Sequence, residues 1–115
     1  MRSLASARDD KKTMDFKDLE KANLERCNKS FFGINEWSPT DWATALAGEC
    51  GEACNLIKKM RRGENIDINE IGKELADVVG YADLLATRLG LSLSECVKDK
   101  FNEVSDRVKS DIRLS

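Results

Sequence analysis

The sequence predicts an all-α protein, a four-helix bundle whose helices are joined by short connections. Its composition suits amphipathic helices and poorly suits a β-sandwich, because 35% of the residues are charged, 41% are hydrophobic, and the chain has a single Pro and few aromatics. Start and stop signals for helices recur along the chain and fit four elements. At 115 residues the chain is long enough for one domain with its own core.

The first predicted helix follows a polar N-terminal segment. Residues 1–13 are non-periodic and include a DDKK cluster, which is typical of a flexible leader before a single folded domain, residues 14–115. We predict a helix from Met14 to about Phe31, ended by the loop around Gly33. Its apolar or small residues at helical spacing are Phe16, Leu19, Ala22, Leu24 and Cys27.

The second helix has the clearest start signal. Ser38 is a favoured N-cap, Pro39 fits the first turn, and Asp41 follows at the position of a capping-box partner. We expect this helix to run to about Arg62 and to end at Gly63, because glycine readily adopts the conformation that closes a helix.

Two further helices are predicted from a similar pattern, in which an Asp or Ser is followed three residues later by Glu. The third helix ends at Gly90, and the fourth runs to about Val108. Four helices with short connections predict a bundle. The two start signals are Asp67 with Glu70 and Ser92 with Glu95.

Charge and residue usage exclude several classes of function. The formal net charge is −2, from 19 basic and 21 acidic residues, so we expect no broad basic surface for nucleic acid. The chain has no His, which excludes Ser-His-Asp and Cys-His nucleophiles and ferritin-like di-iron motifs. No Gly-rich phosphate cradle of the P-loop type is present. With no apolar run of membrane-spanning length and no secretory signal, we expect a cytoplasmic protein without membrane contact.

The four cysteines predict neither disulfides nor a zinc site. They form no CxxC knuckle, no His accompanies them, and nothing indicates a secreted chain. We expect them to be small buried thiols. They are Cys27, Cys50, Cys54 and Cys96.

The second and third helices each carry acidic residues beside an apolar stripe when residues are placed about 100° apart. Glu49 and Glu52 lie at the edge of the apolar cluster of the second helix, and Glu74 and Asp77 form an acidic stripe with Glu70 and Tyr81 on the third. The apolar residues are Trp42, Leu46, Ala53, Ile57 and Met60 on the second helix, and Ile71, Leu75, Val78, Ala82, Leu85 and Leu89 on the third.

Packing of these two helices against one another would bring four carboxylates together, with a formal charge of about −4. Two like unit charges 4 Å apart repel by on the order of 4 kcal/mol at an effective dielectric of about 20, so a cation is expected among them. Carboxylate oxygens select hard ions, and we predict Mg²⁺, with Mn²⁺ and Ca²⁺ as alternatives. Glutamates at this spacing also occur as solvated pairs, and the residues alone leave both interpretations open.

Two segments also resemble a known family. GECGEACNLIKK, beginning at residue 48, and ELADVVGYADLLA, beginning at residue 74, are similar to the ExxE and ExxD signature of the all-α nucleoside triphosphate pyrophosphohydrolases. This MazG-like family includes dCTP pyrophosphatases and dimeric dUTPases, and the resemblance extends from about Trp37 to Arg107. It implies a Mg²⁺-dependent enzyme that converts a (d)NTP to (d)NMP and pyrophosphate for nucleotide-pool housecleaning, and that assembles as a dimer or tetramer.

Carried onto this sequence, the motif makes Glu49, Glu52, Glu74 and Asp77 the metal ligands. The bound cation would neutralise triphosphate charge and activate a water for attack. Either Glu49 or Glu52 is a candidate catalytic base for that water. Some dCTP-directed members have a His near the second helix and other members have two domains; because this chain has neither, a dCTP preference does not follow from the resemblance.

Substrate contacts are predicted on three helices. Lys59, in the basic run KKMRR, projects near Glu52 and is the expected phosphate contact, although such a run also occurs as a solvated helix end. Tyr81 and Trp37 are candidates to hold the base, with core packing as the alternative, whereas Trp42 is expected in the core. KFNEVSDR on the fourth helix resembles the segment that closes over the nucleotide, with pairing of two chains as the alternative; its candidates are Lys100, Asn102 and Arg107.

The main alternative to an enzyme is a helical interaction module that dimerises through its apolar stripes and leaves its acidic pairs in solvent. A DNA-binding helical protein is a weaker alternative, because only KKMRR supports it and the net charge opposes it. Binding of divalent cations and turnover of triphosphates distinguish the enzyme from both.

Overall fold

The computed structural model describes residues 13–115, and within them the chain is all-α. This part of the chain contains no strand, and none of its helices is both long and apolar enough to cross a membrane. The predicted all-α class with four helices is therefore confirmed, while residues 1–12 of the predicted leader lie outside the described residues. The helices are α1 Phe16–Ser30, α2 Pro39–Arg61, α3 Ile68–Arg88 and α4 Leu93–Arg107.

The first two helices begin at capping boxes. The Ser38 hydroxyl accepts a hydrogen bond from the Asp41 N–H at 3.2 Å, and the Asp41 carboxylate accepts one from the Ser38 N–H at 2.9 Å, as predicted. A second capping box, which was not predicted, joins Asp15 and Asp18. It starts α1 at Phe16, slightly later than expected.

The caps of the last two helices have only half of the predicted arrangement. Asp67 caps α3 and Ser92 caps α4, each accepting a hydrogen bond from a backbone N–H of the first turn. Glu70, however, forms an ion pair with a lysine of its own helix, and Glu95 pairs with Lys17 of α1. The acidic partners were predicted to turn back to the cap, but nearby lysines offer them an opposite charge instead.

Three helices end in the same way. Gly63, Gly90 and Lys109 follow the last turns of α2, α3 and α4 with φ values of 93°, 78° and 59°. In each case the next residue donates its N–H to the carbonyl five residues earlier, at 2.8 to 3.1 Å. Both glycines were predicted as stops from the sequence, and Lys109 takes the same conformation with a side chain present.

The four helices pack in an open arrangement. The backbones of α2 and α3 approach one another along a hairpin, α1 packs on α3 and α4, and α2 has no such contact with α1 or α4 within residues 13–115. The radius of gyration is 16.8 Å, whereas a compact domain of about 100 residues has a radius of gyration near 13 Å. No helix of the described residues therefore covers the far end of the hairpin.

The core lies where α1, the start of α2 and the second half of α3 meet. Cys27, Trp42 and Leu84 are buried there, and Ile34, Trp37, Tyr81 and Leu85 pack against them. Trp42 donates from its indole N–H to the carbonyl of Ile34 at 3.1 Å, which fixes the loop before α2. The predicted burial of Trp42 is confirmed.

Several residues predicted in the core are exposed instead. On the hairpin, Leu75 is 52% exposed and Ile57 is 45% exposed, because no helix of the described chain covers its far end. Among the cysteines only Cys27 is buried, so the prediction of four core thiols was wrong for the other three. These are Cys50, Cys54 and Cys96.

Candidate active site

Packing of α2 on α3 brings the predicted acidic residues together midway along the hairpin. One carboxylate oxygen from each of Glu49, Glu74 and Asp77 lies within 4.8 Å of the other two. Glu52 is not one of these three but lies beside them, since its carboxyl interacts with those of Glu49 and Glu74. We refer to these four residues as the acidic cluster.

The negative charge of the acidic cluster is not compensated by the described residues around it. Burial, then the hydrogen bond with Glu52 and the repulsion of the neighbouring carboxylates, raises the pKa of Glu49 from 4.5 to about 7. The hydrogen bond with Glu52, then burial and the same repulsion, raises the pKa of Glu74. One oxygen of each, Glu49 Oε2 and Glu74 Oε2, is buried without a hydrogen-bond partner.

These observations fit a hard divalent cation. A buried carboxylate oxygen without a partner is costly, and a cation or a proton removes that cost. No Lys or Arg of residues 13–115 forms an ion pair with the acidic cluster. All donors there are carboxylates, which suits Mg²⁺ or Mn²⁺ and does not suit zinc or copper.

A cavity of about 430 Å³ opens beside the acidic cluster, between α1, the loop before α2, and α3. Asp77 lines it and so belongs to both features. Five of its lining residues are aromatic, and we call it the aromatic cavity. The aromatic side chains that line it are Phe31, Phe32, Trp37, Trp42 and Tyr81.

The aromatic rings follow one another from the surface toward the acidic cluster. The Phe32 and Trp37 rings stack with centroids 5.0 Å apart, the Trp37 and Trp42 rings are 4.6 Å apart and tilted, and the Trp42 and Tyr81 rings are 6.3 Å apart. Arg88 fixes the loop by donating from Nε to the carbonyl of Trp37 at 2.8 Å. Trp37 and Tyr81, predicted as base contacts, therefore lie in one cavity.

The predicted polar substrate contacts lie on two helices that do not approach one another. Lys59 is half-buried on α2 and forms no ion pair within the described range. Lys100 pairs with Glu103 at 2.6 Å, and Asn102 exchanges two hydrogen bonds with the backbone of Leu114, at 2.9 and 2.8 Å. Arg107 is exposed at the end of α4. Because α4 does not approach α2 in one chain, the three α4 residues are not brought beside Glu49 or Glu52.

Sequence reasoning missed two residues that line the aromatic cavity, Asn23 and Arg26, and the buried carboxyl behind Asn23. Asn23 and Asp83 are buried and hydrogen-bonded to one another. The signal was present, since Asp83 is the sole charge in the run YADLLAT, where a solvated residue is unexpected. Arg26 also lines the cavity, 6.0 Å from the centroid of the Phe31 ring.

Comparison of the chain with protein-family models, with curated proteins and with solved structures finds no match. Membership of the MazG-like family therefore stays a prediction from the two motifs that begin at residues 48 and 74. The geometry of the acidic cluster and of the aromatic cavity stands independently of that resemblance.

Proposed function

We propose that this chain is a Mg²⁺-dependent nucleoside triphosphate pyrophosphohydrolase that converts a (d)NTP to the (d)NMP and pyrophosphate. The observation that supports this most is the acidic cluster, with its two buried carboxylate oxygens left unpaired, directly beside the aromatic cavity. An array of carboxylates next to an aromatic pocket suits a ligand that joins a highly charged group to a flat ring. The motifs of the MazG-like family favour the same activity, and housecleaning of nucleotide pools is the role that the resemblance implies.

In this proposal Glu49, Glu52, Glu74 and Asp77 hold the cation, with Mn²⁺ as the alternative to Mg²⁺. A divalent ion bound there supplies charge neutralisation for the triphosphate and lowers the pKa of water. Either Glu49 or Glu52 takes the proton of the attacking water at a carboxylate oxygen.

The remaining substrate contacts divide between the charged and the flat parts of the nucleotide. Lys59 has no competing ion pair with any residue of 13–115 and is proposed to contact phosphate. Trp37 and Tyr81 are proposed to hold the base through their ring faces.

We further propose a homo-oligomer, a dimer or tetramer, in which α4 of one chain completes the site of another. The C-terminal half of the described chain exposes a row of large apolar side chains that a second copy would cover. Lys100, Asn102 and Arg107 then reach the nucleotide across the interface. The exposed apolar residues are Val97, Phe101, Val108, Ile112 and Leu114.

Release of pyrophosphate tests the activity. Each canonical dNTP is incubated with the protein and millimolar Mg²⁺. We expect at least one of them to yield the monophosphate and pyrophosphate. Glu52→Ala and Asp77→Ala should abolish turnover while the helical circular dichroism signal is kept, because each change removes a ligand and also relieves repulsion. Glu25→Ala, which removes an exposed carboxylate of α1 that belongs neither to the acidic cluster nor to the aromatic cavity, is the matched control. Near wild-type activity of either ligand variant would refute the assignment.

A non-enzymatic interaction module is the second candidate, and the exposed apolar side chains favour it. Phe31 is 68% exposed and Phe32 is 52% exposed at the mouth of the aromatic cavity. An unchanged melting temperature in Mg²⁺ together with no turnover of any triphosphate would support this candidate over the enzyme.

A further inference from the structure

A buried polar pair, Asn23 of α1 and Asp83 of α3, lies at the aromatic cavity. Asn23 is 6% exposed and Asp83 is fully buried. Asn23 Nδ2 donates one hydrogen bond to Asp83 Oδ2 at 2.8 Å and another to the carbonyl of Gly80 at 3.0 Å. Both amide hydrogens are thereby used. Asn23 lines the cavity, and its Oδ1, which takes no part in these two bonds, is the acceptor left for a ligand.

The Asp83 carboxylate fixes the orientation of this amide. Turning the Asn23 amide by half a rotation would exchange its oxygen and nitrogen and would place the oxygen against two acceptors, Asp83 Oδ2 and the Gly80 carbonyl. With both acceptors in place the amide nitrogen must face them. A free asparagine amide could turn either its NH₂ donor or its carbonyl acceptor toward a ligand. Held in this way, Asn23 presents the acceptor.

Packing alone does not account for a carboxyl at position 83. Its second oxygen, Oδ1, is buried and has no hydrogen-bond partner, and burial raises the pKa of the group. An apolar side chain of similar size suits such a place better than an acid with an unpaired oxygen. The bond to Asn23 is the contribution that this carboxyl makes.

We infer that Asp83 is a positioning residue that holds Asn23 Oδ1 toward the cavity, so that the site prefers a base with an exocyclic amino group, as on adenine or cytosine. This inference rests on the proposed function, since it takes the base of a triphosphate to enter the aromatic cavity. An amino group donates to Asn23 Oδ1, whereas the 4-carbonyl of uracil or thymine would face it with no proton between the two oxygens. The aromatic walls offer stacking to every base and do not discriminate in this way.

Two pairs of substrates test the preference in the wild-type protein with Mg²⁺. The first pair is dCTP and dUTP. The second pair is dATP and the triphosphate of purine 2′-deoxyriboside, which lacks the 6-amino group. We expect kcat/KM to be about ten- to a hundredfold higher for the amino member of each pair, mainly through KM, because the other member leaves a buried acceptor unpaired. In Asn23→Ala we expect both ratios to fall to within about threefold of unity, since the acceptor is gone.

Asp83→Asn separates positioning from structure. The new side chain offers Asn23 a donor as well as an acceptor, so only the Gly80 carbonyl still requires the amide nitrogen on that side. We therefore expect the substrate ratios to fall to a value between those of the wild type and Asn23→Ala, while the circular dichroism spectrum is kept. Ser105→Ala is the control: it removes a buried hydroxyl that donates to the Ile112 carbonyl at 2.7 Å, far from the cavity. It should lower the melting temperature and leave the ratios unchanged.

The outcomes distinguish this inference from the proposed function. Ratios near one in the wild type, ratios unchanged by Asn23→Ala, or a loss in Asp83→Asn that is equal for all substrates would each overturn the role of Asp83 and leave pyrophosphohydrolysis standing. Failure to hydrolyse any triphosphate would refute the proposed function and this inference with it. The wild-type comparison needs no variant, so a variant that fails to fold does not prevent a decision.

Discussion

Raising the pH from about 5 to about 8 without divalent cations is expected to destabilise the protein, through the acidic cluster. The pKa of Glu49 is about 7 in the folded chain, whereas its ordinary value is 4.5. Between these values the folded state keeps a proton that the unfolded state has lost. Stability is therefore greatest at the acidic end of this range and falls as the pH rises through about 7. Glu74, whose pKa is also raised, acts in the same direction.

The size of the effect follows from this difference in pKa. Without solvent screening, the rise in the pKa of Glu49 from 4.5 to about 7 corresponds to about 3 kcal/mol in the free energy of unfolding. Solvent screening around a half-buried side chain reduces this to about 1–2 kcal/mol. For a domain of this length, 1 kcal/mol moves the melting temperature by about 4–8 °C. We expect a fall of about 5–10 °C between the two pH values, and we expect millimolar Mg²⁺ to remove most of it at pH 8, because bound cation stabilises the folded state.

Thermal melts followed by circular dichroism, in chelator and in Mg²⁺, measure this effect. Glu49→Gln should reduce the pH dependence, although Glu74 and Asp83, whose pKa values are also raised, leave a residual slope. Glu103→Gln is the control, because the hydrogen bond and charge of Lys100 lower the pKa of Glu103 and so confine its contribution to more acidic solution. A melting temperature that is flat in chelator, or a fall that Glu49→Gln leaves at its full size, would refute the reasoning.

Three further predictions concern the cavity, the helix ends and the assembly. Trp37→Ala should raise KM for the triphosphate by about tenfold with little change in kcat, since base stacking contributes about 1–3 kcal/mol; steady-state kinetics showing KM unchanged would contradict base stacking on Trp37. Lys109→Gly should raise the melting temperature by about 2–5 °C, because glycine adopts the φ of 59° found there without strain. A melting temperature below that of the wild type would contradict this expectation. Phe101→Glu should shift the protein toward monomer in sedimentation velocity, since Phe101 is 42% exposed on α4, and an unchanged sedimentation coefficient would exclude this face from the interface.

The helices could be predicted from the sequence because their ends depend on neighbouring residues. Ser38 and Asp41 form the predicted capping box without help from the rest of the chain, and the glycines after α2 and α3 take the positive φ that ends a helix. The failures at helix starts have both local and tertiary causes. Glu70 pairs with Lys73 of its own helix, which is a local contact. Glu95 pairs with Lys98 of its own helix and also with Lys17 of α1, and helical periodicity contains no information on the approach of α1.

Burial was predicted less well, because it depends on what covers each face. Leu75 lies on a clear apolar stripe and is nevertheless 52% exposed, although α2 meets this part of α3 at Glu74 and Asp77. Asp83 shows the opposite failure: it lies outside the stripe, yet α1 covers it through Asn23. Periodicity identifies the face toward α2, but α3 is also covered by α1 and α4, and their positions are not readable from the spacing of its residues.

The order of the two features along α3 bears on which bond of a triphosphate is cleaved. Asp77 belongs to the acidic cluster and lines the aromatic cavity, and Tyr81 follows one helical turn later, about 6 Å along the axis. A base held against Tyr81 leaves only the sugar between itself and the acidic cluster, so the phosphates nearest the sugar are the ones that reach the carboxylates. A cluster set to act on the terminal phosphate would have to lie farther from the cavity by the length of the phosphate chain. The short separation thus favours attack between the α and β phosphates, which is the cleavage that we propose, over removal of the terminal phosphate.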